Sequence, residues 1–194
     1  NGHAHQIAKA KEMTGADYCI IAMCGDFVQR GAPAVADKYL RAETALKNGA
    51  DLVLELPVYY ALGSAEYFAS GAVALFDRLG IVDALCFGSE CGDIAVLSEF
   101  AASLIDEDAV FKEVLDRHLR MGYAYPGARN AAIRARDPGL TPYMHVMSAP
   151  NNILGIEYCK ALLRRGSQIR PYTTHRAGSS YHDASLLNTY CSAL

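Results

Sequence analysis

The tripeptide Asn1-Gly2-His3 runs straight into a segment with helical spacing, so His3 stands where an imidazole meets the free N–H groups of a helix start. That combination suits phosphate oxygens, because the positive end of the helix dipole and the ring nitrogen can serve the same anion. His3 and His5 diverge on a helix and make a poor metal pair. Gly88 ends an apolar segment in CFGSE, Asn152 opens a helical segment in PNNILGIEY, and Arg176 lies in the polar stretch TTHRAG. A glycine lets a purine or ribose approach the backbone, an amide offers a donor and an acceptor, and a guanidinium offers a planar fork for phosphate. The plainer alternatives are a solvent-facing helix-start histidine, a turn, a helix cap and a surface ion pair.

Elements with short connections must bring these residues together. Residues 17–23, 51–56, 81–87 and 167–172 read as buried strands. Helical spacing covers 3–13, 37–47, 64–79 and 151–165, with Asp37 and Ser64 as N-caps and Gly15, Gly49 and Gly80 as stops. Residues 93–121 read as one or two acidic helices. A Gly/Pro/Arg-rich excursion around 122–150, with a short helical piece near 129–136, is expected to be mobile. Residues 173–183 read as a polar loop. Alternating strands and helices predict a parallel sheet covered by helices, whose carboxyl ends gather the polar loops CGDFVQRG, PVYYALGS and GSECGD into one crevice.

Composition sets the outer bounds. The 194 residues include 52% hydrophobic and 20% charged side chains, which excludes disordered, collagenous and disulfide-scaffold classes. Apolar runs such as DLVLELPVYY fall far short of the roughly 20 residues of a bilayer span, and the opening NGHAHQIAKAK does not read as a signal peptide, so a cytoplasmic protein without membrane contact is expected. Six cysteines form no CxxC pair and read as core thiols, with Cys24 and Cys91 the ones that could be exposed and redox-sensitive. Residues 1–116 carry 8 Lys and Arg against 18 Asp and Glu, whereas 117–194 carry 10 against 3. The basic half therefore suits a polyanion. Lys160, Arg164 and Arg165 share a predicted helix there and are expected to face phosphates.

Longer strings carry a family signature. NGHAHQIAKAKEMTGAD, GDFVQRGAPA, LVLELP, SAEYFASGAV, CFGSE, NNILGIEY and RAGSSYHD closely resemble the bacterial tRNA(Met) cytidine acetate ligase family over nearly the whole chain. The resemblance implies a Rossmann-like α/β fold of HUP nucleotidylyltransferase type, with 1–194 forming one adenylation domain. It also implies an ATP-dependent ligase that makes acetyl-adenylate from acetate and ATP and passes the acetyl group to N4 of the wobble cytidine of elongator tRNA(Met).

On the HxGH pattern of that superfamily, His3 is the second and catalytic histidine, with Asn1 and Gly2 as the middle residues. Gly88, Asn152 and Arg176 match ATP contacts, and Lys160, Arg164 and Arg165 would face the tRNA. The pattern places its first His one position before Asn1, a strand before that, and an Ile-Arg after Leu194, so truncation at both ends is expected. Asp26 stands where many relatives carry an uncharged residue, and would repel phosphate or help hold Mg²⁺. Ser192 begins a Ser-rich motif that closes over triphosphates. ATP with Mg²⁺, acetate and the tRNA are the implied ligands, without a protein metal site. The competing readings are an adenylyltransferase of small-molecule metabolism and a non-catalytic nucleotide- or RNA-binding module.

Overall fold

In the computed structural model, which describes residues 2–29 and 31–176, four short strands pair in parallel. β1 (Ile20–Cys24) lies beside β2 (Leu52–Leu56), with Ile20 opposite Leu52 and Cys24 opposite Leu56. β3 (Ala84–Ser89) lies beside β4 (Arg170–His175), with Ala84 opposite Arg170 and Ser89 opposite His175. The predicted parallel strands are thus present as two pairs, joined through side chains: Ile20 and Ala22 of β1 pack against the core that holds Leu85 and Phe87 of β3. β4 also runs three residues beyond the predicted end. Thr173 and Thr174 suit an extended backbone, and the buried Thr173 hydroxyl donates to the Phe87 carbonyl at 3.1 Å, which removes the usual objection to a polar strand residue.

The helices that precede and connect these strands start where local chemistry dictates. α1 (Gly2–Thr14) buries Ile7 and carries Lys11 in its last turn, whose Nζ lies 3.0 Å from Asp51. Asp51 also accepts from the backbone N–H of Cys19, which together with Lys11 holds its carboxyl below the usual range. α2 (Lys38–Lys47) is capped by Asp37, which accepts from the N–H groups of Tyr39 and Leu40. After β2 the chain makes a one-turn α3 (Val58–Ala61) and then α4 (Ala65–Leu79), opened by Ser64 and closed by Gly80 in the left-handed conformation.

Between β3 and β4 run α5 (Ile94–Ser103), α6 (Ala109–Arg120), α7 (Tyr125–Arg136), a 3-10 run (Pro138–Ser148) and α8 (Pro150–Arg165). The stretch expected to be mobile is instead packed. Ala128, Ala132 and Ile133 of α7, with Leu140, Met144 and Val146 of the 3-10 run, belong to the main core beside Phe100 and Phe111. Arg136 fixes the end of α7 by bonding Asp137, Ser103 and the Asp106 carbonyl, with its guanidinium 5.3 Å from the Phe111 ring centre.

α8 approaches β3 closely because Gly155 has no side chain: a Cβ there would stand 2.7 Å from the Phe87 ring. Tyr158, one turn on, packs against the main core and against the smaller cluster of Leu56, Ala61 and Ala72. Among the described residues no helix is long and apolar enough to cross a membrane.

Candidate functional site

The carboxyl ends of β3 and β4, the first turns of α1 and the start of α8 form one corner. Gly88 is the penultimate residue of β3, and the stem of Arg176, directly after β4, runs over it: a Cβ on Gly88 would lie 3.1 Å from Arg176 Cγ. Arg176 Nη1 donates to Asn151 Oδ1 at 3.1 Å. Gln6 of α1 reaches the same place, its Oε1 accepting from the Thr174 hydroxyl at 2.6 Å. Its Nε2 is buried with no partner among the described residues, leaving a donor at the corner.

His3 lies one turn before Gln6 on α1 and is exposed at the surface. Neighbouring protein still desolvates its ring, and the positive charge of Arg176 adds to this, so its pKa falls below the ordinary imidazole value. An imidazole, a guanidinium and an unpartnered amide N–H are groups of the kind that can bind an anion or a nucleotide.

Glu90 braces the corner. Its Oε1 accepts from Asn151 Nδ2 at 2.7 Å and its Oε2 from the Asn152 N–H at 2.8 Å, so one carboxylate caps α8 and fixes the amide that meets Arg176. Asn152 is 3% exposed. Its Oδ1 accepts from the Cys91 N–H at 3.0 Å and its Nδ2 donates to the Val146 carbonyl at 3.1 Å, so its side chain joins α8 to the loop after β3 and to the 3-10 run. Asn151, not Asn152, presents its side chain to Arg176. Asn151, Glu90 and Gln6 are the residues that the sequence reading missed. For Gln6 the available signal was its position one helical turn after His3; for Glu90 and Asn151 the partners are 61 residues apart and no local spacing reveals them.

The other expected residues fall elsewhere. Asp26 lies in the loop after β1, where its Oδ1 accepts from the Lys38 N–H at 3.2 Å and helps start α2. That loop is also held by Arg41, whose Nη2 donates to the Cys24 carbonyl at 2.7 Å. Asn1 and Ser192 lie outside the described residues, as does Cys191.

Lys160 is buried, with Nζ 2.6 Å from Glu157 and 3.3 Å from Glu66. Arg164 meets Glu66 at 2.5 Å and Arg165 meets Asp77 at 2.9 Å, so the three cations tie α8 to α4. The Arg164 hydrogen bond, with Lys160 nearby, holds the Glu66 carboxyl below its usual range. Cys24 and Cys91 are half-buried, and desolvation pushes the Cys24 thiol up, which opposes thiolate chemistry there. Burial pushes Cys86 and Cys159 up to about 11.

The sequence and the fold have counterparts among known proteins. Proteins named tRNA(Met) cytidine acetate ligase are 44% identical over 197 residues in Clostridium botulinum (strain Loch Maree / Type A3) and 43% identical over 193 residues in Acetivibrio thermocellus. Each match covers 100% of this chain, but 48% and 46% of the respective relative, so the chain spans about half the length of the curated relatives it matches.

Two crystal structures of Thermotoga maritima TmcAL share the fold. The apo form I has a TM-score of 0.93 at 39% identity, covering 99% of this chain and 46% of that one. Form II, bound with alpha-thio ATP, has a TM-score of 0.87 at 40% identity, covering 92% and 44%. The family model described as HIGH Nucleotidyl Transferase matches residues 1–194, and the chain belongs to that family.

Proposed function

We propose that this chain is the ATP-activating part of a tRNA(Met) cytidine acetate ligase, with 1–194 acting as one adenylation domain in the cytoplasm. The observation that carries this reading is the corner where Arg176 crosses Gly88 beside α1, the helix that begins with Gly2-His3. It is supported by a neighbour of the same fold that is bound with alpha-thio ATP, and by relatives named for the full reaction.

In the proposed first step, a carboxylate oxygen of acetate attacks the α-phosphorus of ATP. The bond from that phosphorus to the oxygen bridging to the β-phosphate breaks, and pyrophosphate leaves. In the second, N4 of the wobble cytidine attacks the acetyl carbonyl, AMP leaves, and N4 loses a proton.

The protein's work in the first step is positioning and charge neutralisation. His3 and the α1 start, with Asn1 and Gly2, meet the phosphates, and Arg176 flanks them while Gly88 gives room for the nucleoside. Asn152 acts by fixing the first turn of α8. Mg²⁺ would arrive on the ATP phosphates. Among the described residues no group of three or more His, Cys, Asp or Glu is placed to hold a metal, and the Glu90 and Asp26 carboxylates already serve backbone N–H groups, so no step is assigned to a protein-held cation. The tRNA approaches the side that includes Lys160, Arg164 and Arg165, whose charges are already paired with Glu157, Glu66 and Asp77, so they border its path more than they attract it.

ATP–pyrophosphate exchange by the full chain, with and without acetate, tests the reading. Acetate-dependent exchange is expected, lowered about 100-fold or more by His3→Ala. Exchange stimulated by a mononucleotide or pantoate, and not by acetate, favours a small-molecule adenylyltransferase. ATP binding without exchange favours a non-catalytic module.

A further inference from the structure

A second concavity, of about 630 Å³, opens between the start of α4, the α5–α6 connection, α7 and α8. Ile153 lines it and Asn151 meets Arg176. Residues two apart face different sides of a helix, so α8 stands between this cleft and the Gly88 corner. The α8 wall carries Glu157, Lys160 and Arg164; the opposite wall carries Lys112 of α6 with Tyr125 and Arg129 of α7, and the exposed Glu107 of the α5–α6 connection, which pairs with neither cation, lies at its edge. Tyr125 and Arg129 are four residues apart and share one helix face.

The two walls differ in how their charges are satisfied. Lys160 and Arg164 are neutralised by Glu157 and Glu66. The side chains of Lys112 and the half-buried Arg129 have no ion-pair or hydrogen-bond partner among the described residues. A guanidinium and an ammonium left unmatched in a cleft attract an anion, and the planar fork of Arg129 matches phosphate. Tyr125, 53% exposed, supplies a ring face for an unpaired base. The volume lies within the roughly 300–1,000 Å³ of small-ligand sites, enough for one nucleotide.

We propose that this cleft holds one unpaired nucleotide of the RNA substrate, with its phosphate at Arg129 and Lys112 and its base on Tyr125. The inference rests on the tRNA reading above and adds the residues that engage the strand. Glu66 keeps Lys160 and Arg164 paired, so the α7 wall supplies the attraction.

The experiment is fluorescence anisotropy of a labelled anticodon stem-loop of elongator tRNA(Met) bound to the full chain. Salt is varied, and ATP affinity and thermal melting are followed on the same samples. The Lys112→Ala/Arg129→Ala double variant is expected to bind RNA about tenfold or more weaker, with a salt slope shallower by roughly 0.7, while Tyr125→Phe retains binding that Tyr125→Ala loses. Unchanged RNA affinity and slope in the double variant, with the parent binding RNA, overturn the cleft and leave the tRNA reading standing. No RNA binding by a parent that binds ATP overturns both. Arg129-dependent binding of cytidine monophosphate or inorganic phosphate, without any effect of Arg129 on the stem-loop, marks a free-phosphate site and overturns the RNA assignment.

Discussion

Arg176 lies across Gly88 so closely that a single added methyl group would stand 3.1 Å from its Cγ. Gly88 has no left-handed backbone angle, so alanine fits the strand and its only cost is to displace Arg176 by a few tenths of an ångström. Gly88→Ala is therefore expected to weaken ATP binding about tenfold, equivalent to about 1.4 kcal/mol, with stability within about 1 kcal/mol of the parent. Arg176→Lys should match the loss, because an ammonium cannot bond Asn151 and a phosphate with one planar fork. Calorimetric titration with ATP checks both; parental affinity in either variant removes Arg176 from the site.

Asn152 and Asn151 are adjacent yet should respond differently. Asn152→Ala leaves the Cys91 N–H without its partner and the Val146 carbonyl with only the long bond from the Ala149 N–H, and a destabilisation of about 2 kcal/mol is expected in urea unfolding. Asn151→Ala removes the Arg176 contact and one Glu90 bond at the surface, so it should change ATP affinity more than stability. The reverse order of effects would show that Asn152 contacts the nucleotide through its side chain.

The third prediction concerns pH. Desolvation above all, with Arg176 a smaller contribution, holds His3 below its ordinary value of 6.5, so the free ring is mostly uncharged at neutral pH. Without ligand, this contributes stability that is complete above 6.5 and lost as pH falls toward the lower folded-state value. Phosphates beside the ring favour the imidazolium, so ATP binding should take up a proton below pH 6.5 and tighten on acidification. Titrations at about pH 6 and pH 8, in buffers of differing ionisation enthalpy, should show an uptake that His3→Ala abolishes. Equal uptake in the variant would assign the proton to ATP alone.

Where a helix start or stop depends on neighbouring residues, the sequence was enough to read it. Asp37, Ser64 and Gly80 act within four residues of themselves, and each caps as its type predicts. The one-turn α3 is too short for periodicity to register. Residues 122–150 carry turn-forming composition, yet Ala128, Ala132 and Ile133 provide an apolar stripe whose packing on α6 overrides it. The charge split misled for a spatial reason: Lys160, Arg164 and Arg165 come from the basic half but meet Glu66 and Asp77 of the acidic half, which are distant only along the chain. The site shows the same limit. His3, Gly88 and Arg176 stood out by residue type, whereas Glu90 became visible only when β3 and α8 were placed side by side.

Glu90 gives the corner a thermodynamic character as well as a shape. Through Asn151 it couples β3, α8 and the residue after β4, so the rotamers of Asn151 and Arg176 are restricted before any ligand arrives. The ordering entropy of those side chains is charged to folding and not to association, which makes the bracket preorganised. Nucleotide capture at such a bracket needs little rearrangement of the protein, and its heat should come mainly from contacts formed and water released.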